Sequence, residues 1–241
     1  AVTGTATIKD DGTGTIFKPD GTVDTTTTPD DDRPATVTSP TVNEGSPYAV
    51  FTVGGTAGQS IALGLSDVTA TGSGTDYGAG LEFSIDGGTS WTSYTAAVTV
   101  PAGGTFLVRT PIADDGTPDN GETFTLTATP TGGTAVTGTA TIKDDGTGTI
   151  FNPDGTVDTT TTPDDDRPAT VTSLTVNEGS PYAVFTVGGT AGQSIALALS
   201  DGTATGSGTD YGAGLEFSID GGTSWTSYTA AVTVPAGGTF L

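Results

Sequence analysis

TVNEGSPYAVFTV, running from Thr41 to Val53, decides the fold. From Tyr48 to Val53 every residue except Ala49 is β-branched or aromatic, and Gly45 and Pro47 punctuate the approach. That is a short strand entered through a turn. The same texture recurs outward along the chain. It is found in QSIALGLS at 59–66, LEFSID at 81–86, AAVTVP at 96–101, FLVRTPI at 106–112, ETFTLTATP at 122–130 and AVTGTATIKD at 135–144. Each run is bounded by Gly, Pro, Asp or Asn, and none carries a helical apolar period. The expected fold is all-β, with roughly seven or eight strands per unit spaced as in an antiparallel, Ig-like β-sandwich.

The unit repeats. AVTGTATIKDDGTGTIF at Ala1 returns unchanged at Ala135, which sets a period of 134 residues. The copies then run without insertion or deletion to Leu241, and only four aligned positions differ: Lys18/Asn152, Pro40/Leu174, Gly64/Ala198 and Val68/Gly202. A fixed period of this kind signals a tandem array. Between the strand-rich segments lies DDGTGTIFNPDGTVDTTTTPDDDR, rich in Thr, Pro and Asp, whose composition favours an extended chain. The boundaries expected are 1–12 for the last strand of a preceding repeat and 13–32 for a connector. A complete domain follows at 33–146, a second connector at 147–166, and the first part of a further repeat at 167–241. An alternative reading has the connector pair as strand with a neighbouring domain. Both ends fall inside repeats, so the chain is expected to be an excerpt of a longer array.

Twenty-eight acidic residues face six basic ones, a net charge of −22. Nucleic acid is excluded as a partner, because no basic surface exists to neutralise phosphates. An anionic membrane surface is excluded for the same reason, and no apolar run is long enough to insert. Cys and His are both absent, so disulfides and thiolate or imidazole metal sites are excluded too. Acidic self-repulsion on this scale destabilises a compact state unless something binds it.

Within 33–146 the acids gather at turns: Glu44 in VNEG, Asp76 in GTDYG, Asp114 and Asp115 in IADDG, Asp119 and Glu122 in PDNGE, Asp144 and Asp145 in IKDDG. Calcium takes about six to eight hard oxygen ligands, and paired carboxylates in glycine-containing loops suit it. The spacing is neither that of an EF-hand nor that of a nonapeptide repeat, so any site must be assembled from distant segments. The competing reading for each Asp is ordinary turn chemistry, its side chain bonding the local backbone. Asp30, Asp31 and Asp32 read as a solvated charge run with Arg33 as an adjacent partner, or as acids completing a site at a junction.

The order VNEG, GTDY, IADDGTPDNGETF and TATIKDD resembles the Calx-beta domain. More narrowly, it resembles the Calx-beta-like extender repeats of giant bacterial RTX adhesins. The likeness covers 33–146 and part of both incomplete copies. It implies a sandwich binding several calcium ions at one end, with Glu44, Asp76, Asp114, Asp115, Glu122, Asp144 and Asp145 as ligands. Asp10, Asp11, Glu178 and Asp210 hold the corresponding places in the incomplete copies. It further implies an extracellular location on a bacterial surface, neighbouring repeats as partners, and a rigid spacer role projecting a distal binding domain. Two departures are IKDDG, where many members carry a third aspartate, and the inserted LEFSIDGGTSWTSY.

Ser84 to Trp91, SIDGGTSW, also matches the Asp-box pattern of sialidases and recurs at Ser218–Trp225. Its physical content is a hairpin whose Asp-Gly-Gly makes the turn and whose Trp packs behind it. A sugar stacking on Trp91 or Tyr94 would make each unit a calcium-dependent glycan- or protein-binding module, the rival to the spacer reading. An enzyme is not expected: there is no His for a triad and no Cys nucleophile, and the acids sit in identically repeated turns.

Overall fold

The computed structural model describes residues 1–241, which divide into two units, Ala1–Asp164 and Asp165–Leu241. The regular elements are all strands, and no helix is long and apolar enough to cross a membrane.

The first unit carries twelve strands that matter here. They are β1 (Thr36–Val37), β2 (Thr41–Asn43), β3 (Tyr48–Gly54), β4 (Ser60–Asp67), β5 (Glu82–Ser84) and β6 (Thr92–Ser93), then β7 (Val98–Thr99), β8 (Thr105–Pro111), β9 (Thr123–Pro130), β10 (Val136–Lys143), β11 (Ile150–Phe151) and β12 (Val157–Asp158). They form two five-stranded sheets, in the orders β1-β3-β8-β5-β6 and β2-β10-β9-β4-β7, and a separate β11-β12 hairpin. Every pairing is antiparallel except β2 with β10, which is parallel. The chain passes from the first sheet to the second between β1 and β2. Pro40 lies in that crossing and accepts a hydrogen bond from the Thr141 amide through its carbonyl.

Alternation in the sequence becomes burial. In β9 Phe124, Leu126, Ala128 and Pro130 are buried while the intervening threonines are half-buried, as a period of two requires. One core draws on both sheets: Phe51 and Val53 of β3, Val108 of β8, Ile61 of β4, Phe124 and Leu126 of β9, Ala140 and Ile142 of β10. Phe51 and Phe124 meet edge to face at 6.0 Å, the geometry aromatic quadrupoles favour. Each such side chain contributes roughly 1.5–3 kcal/mol by leaving water.

The segment 147–164 lies against the domain it follows. Its hairpin pairs Ile150 with Asp158 and Phe151 with Val157, and Thr149 bridges in parallel to Val42.

In the second unit Thr170–Val171, Val187–Gly188 and Thr239–Phe240 make a three-stranded sheet, beside two two-stranded pairs. Its core is four residues: Val187, Val232, Val234 and Phe240. Thr175–Asn177 repeats β2 residue for residue yet forms no strand. Val42 is 0% exposed, and its counterpart Val176 is 49% exposed. Residues 1–10 repeat β10 and likewise form no strand, leaving Val2 and Ile8 exposed.

Candidate metal centre

The parallel pairing of β2 and β10 creates an acid-rich end. Asn43 lies in register with Lys143, and parallel strands point their C-terminal residues the same way. The next residues, Glu44 and Asp144, therefore emerge side by side. The Glu44 amide donates to the Lys143 carbonyl at 2.7 Å. Asn43 fixes the turn beyond it, its Oδ1 accepting the Gly45 amide at 3.0 Å.

Two loops complete this end. The PDNGE loop is held where the Gly121 amide donates to the Ile142 carbonyl and the Ile142 amide to the Glu122 carbonyl. Gly121 has φ +97°, a left-handed conformation that glycine takes without a Cβ penalty. Asp76 is held by the Ala113 amide, which donates to its carbonyl. The adjacent Tyr77 stacks on Phe124 at 4.0 Å and donates its hydroxyl to Asp67. Burial and then Asp67 push the Tyr77 hydroxyl well above its ordinary value.

These elements assemble two groups of three carboxylates, Glu44–Asp119–Asp144 and Asp76–Asp119–Glu122. Within each group one oxygen from every member lies within 4.8 Å of the others. At an effective dielectric of about 20, two unit charges at that distance repel by about 3 kcal/mol. Partial burial, then a hydrogen bond with Asp76, then the charges of Asp76, Asp119 and Asp115 push Glu122 up to about 7. Asp119 is exposed as a residue; its carboxyl is also raised, by desolvation first and then by Asp76, Asp115 and Asp144.

Asp144 is the decisive member. It is 1% exposed, and neither carboxylate oxygen has a hydrogen-bond partner. A buried carboxylate without donors is costly and needs a counter-charge. Lys143, the nearest cation in sequence, instead pairs with Asp145 at 3.8 Å. The donor set is all hard oxygen, and two ligands of one calcium ion lie at most about 5 Å apart. The groups fit such an ion.

The other expected ligands stand elsewhere. Asp114 and Asp115 are exposed and belong to neither group. The Asp115 carboxylate accepts the Thr117 amide at 2.7 Å, while its own amide donates to Glu44 at 3.2 Å. Asp145 accepts from Asn120 at 2.9 Å and from the Thr147 amide at 3.1 Å; the Thr147 hydroxyl, above all, holds it below the usual carboxylate range. Asp10 and Glu178 are exposed. Asp11 is taken by Thr13 and Lys9, and Asp210 accepts the Thr205 amide at 2.7 Å. Of the connector acids, Asp31 forks onto Arg33 at 2.6 and 2.7 Å, and Asp165 does the same with Arg167.

A local pattern separates these acids. Seven Asp side chains bond the Thr two residues on: Asp11–Thr13, Asp20–Thr22, Asp24–Thr26, Asp115–Thr117, Asp145–Thr147, Asp154–Thr156 and Asp158–Thr160, while Asp67 and Asp201, which also have such a Thr, bond Tyr77 and Tyr211 instead. None of the five grouped acids has a Thr in that position. Asp119, outside the expected ligand set, is shared by both groups, and the residue two positions on is Gly121.

The Asp-box closes on itself. Asp86 accepts from Ser84, from the Ser90 amide at 2.9 Å and from the Ser90 hydroxyl at 2.6 Å, and the Ser90 hydroxyl chiefly lowers it to about 2. One ring face of Trp91 is covered by the Arg109 guanidinium at 4.1 Å. No protein-family model matches the sequence, and no curated protein is similar to it.

Proposed function

We propose that this chain is a calcium-rigidified extender segment of a large bacterial surface adhesin, with Ala1–Asp164 built around a complete β-sandwich repeat. The observation that carries the metal reading is Asp144, buried with both oxygens unpartnered beside Glu44 and Asp119. Glu44, Asp119 and Asp144 would hold one ion, and Asp76, Asp119 and Glu122 a second that shares a ligand with the first. Calcium would supply positive charge and nothing more. The chain's own residues do the rest, as β2 and β10 fix Glu44 and Asp144 at one end while Tyr77 and Phe124 brace Asp76.

Near-identity of the copies supports the spacer role, because a spacer's output is length. Weak sites fill at extracellular calcium and stay empty in a cytosol, which would leave the chain uncharged by metal during export. Calorimetric titration of calcium into chelator-treated chain, with X-ray scattering before and after, tests the reading. The expected result is binding with Kd on the order of 10⁻⁴–10⁻³ M and a longer maximum dimension with less spread. Absence of binding heat together with an unchanged scattering profile would refute it.

A further inference from the structure

Chain 147–164, placed by its composition as an extended spacer, is closed into a loop. Both ends meet at Asn43, which is fully buried. Asn43 Nδ2 donates to the Thr147 carbonyl at 2.8 Å and to the Asp164 carbonyl at 3.1 Å, and its Oδ1 accepts the Asp164 amide at 2.8 Å. The Gly146 amide also donates to the Asp164 carbonyl at 2.9 Å. The same closing bond occurs one period earlier, from the Gly12 amide to the Asp30 carbonyl at 2.8 Å.

The tip of the later loop is held separately. Arg109 is 8% exposed, its guanidinium lying 4.0 Å over the Tyr48 ring and 4.1 Å over the Trp91 ring. Glu82 pairs with it at 2.7 Å, and its Nη1 donates to the Pro153 carbonyl in the hairpin turn. A planar, stacked, doubly bonded guanidinium is a site where lysine does not substitute. The Phe151 amide adds a bond to Ser46 Oγ at 3.0 Å. Contact is close enough that a Cβ at Gly88 would overlap the Asp154 carbonyl, and one at Gly155 would press on Trp91 at 3.1 Å. The earlier hairpin, Ile16–Phe17 with Val23–Asp24, has no such seat and leaves Phe17 64% exposed.

We infer that the Tyr48–Arg109–Trp91 stack is a receptor for the β11–β12 hairpin, a clasp that stores the connector as a closed loop and releases it under tension. This goes beyond the calcium reading, since none of the clasp's side chains belongs to the acidic groups. Residues 147–163 extend to at most about 60 Å, against ends now one hydrogen bond apart. Each repeat therefore holds a reserve of length that opens before either five-stranded sheet is broken. Shear on the hairpin must strip the Arg109 bond to Pro153 and the Phe151 bond to Ser46 first, so release is a discrete event.

Adjacent glycines supply the test. Gly87 (φ +72°) and Gly88 (φ +92°) share one turn, so alanine strains both. A Cβ at Gly87 meets nothing, whereas one at Gly88 meets the hairpin. The full chain is pulled by its termini in calcium, as wild type, Gly87→Ala and Gly88→Ala. Wild type and Gly87→Ala are expected to show two releases of about 60 Å each, one at low force for the unseated loop and one at higher force. In Gly88→Ala the second release falls to the force of the first, with total length unchanged. Hydrogen exchange at the Phe151 amide rises by about tenfold or more in Gly88→Ala relative to Gly87→Ala; the Asn152/Lys18 difference distinguishes its peptide from the earlier copy. Wild type with no second release overturns the proposal, as does a Gly88→Ala chain that matches Gly87→Ala in force and exchange. A calcium titration that fails leaves both releases in place, so the two readings fall separately.

Discussion

Asp144→Asn should change stability with opposite signs in chelator and in calcium. Without a cation the substitution deletes one negative charge from a group whose other oxygens, on Glu44 and Asp119, lie within 4.8 Å. Each repulsion removed is about 3 kcal/mol at an effective dielectric of about 20. A carboxylate cluster relieves itself by taking up protons, and the new amide can donate to its neighbours. The net gain is therefore taken as about 2 kcal/mol. With calcium at a hundred times its Kd, the parent gains about 2.7 kcal/mol by mass action, which the variant forfeits in proportion to its lost affinity. For a unit of this size 1 kcal/mol moves Tm by about 3 °C. The variant should melt about 6 °C above the parent in chelator and several degrees below it in calcium. The assay is thermal melting followed by Trp91 emission in a Trp225→Phe background, since the chain has two tryptophans. A shift of the same sign in both buffers would refute the reasoning, because a packing defect ignores the cation.

The pH dependence follows from Glu122. Its folded-state value is raised from 4.5 to about 7, so it binds its proton more tightly folded than unfolded. Its stabilising contribution is complete below about pH 4.5 and lost as pH rises through 7, at most about 3 kcal/mol shared among coupled acids. Melting in chelator should fall between pH 5 and 7.5 by up to about 9 °C, a slope that saturating calcium flattens; a level profile in chelator would be inconsistent with the cluster. Separately, Asp119→Ala should weaken calcium binding by about tenfold or more while Asp115→Ala changes it by less than about threefold, read by calorimetric titration. Equal losses would place the ion in the IADDG loop instead.

Strands were legible where a period of two met buried apolar side chains, as in ETFTLTATP. Their survival was not, because it depends on partners far along the chain. Thr41–Asn43 is a strand beside Thr141–Lys143, and the identical Thr175–Asn177 is not a strand. Propensity proposes, and the partner decides. The acids divide by a similar logic. Consecutive aspartates cannot both turn inward from the end of one strand. In IKDDG, Asp144 enters the group while Asp145 turns to Thr147, Asn120 and Lys143. The pair Asp114 and Asp115 does not show this alternation, since both stand outside the groups. Within IKDDG, Asp145 has a threonine two residues on that satisfies it locally, whereas Asp144 has Gly146 there.

The VNEG motif shows why the connector eluded composition. Its glutamate was read for metal and its asparagine was passed over, yet Asn43 is what closes the loop. An asparagine offers two donors and an acceptor in one plane, and here both donors and the acceptor face main-chain groups from 143, 147 and 164 as well as the Gly45 amide. Aspartate at this position would keep the acceptor and lose every donor, leaving three carbonyls to face a charge. Runs of Thr, Pro and Asp extend only while nothing ties their ends, and a single buried amide beside Glu44 ties both. Arg109 then holds the tip from the opposite direction, as a cation committed to a stack and a carbonyl instead of to the acidic groups. The connector's extension is accordingly a property of what lets go, and its resting length is set by the domain it follows.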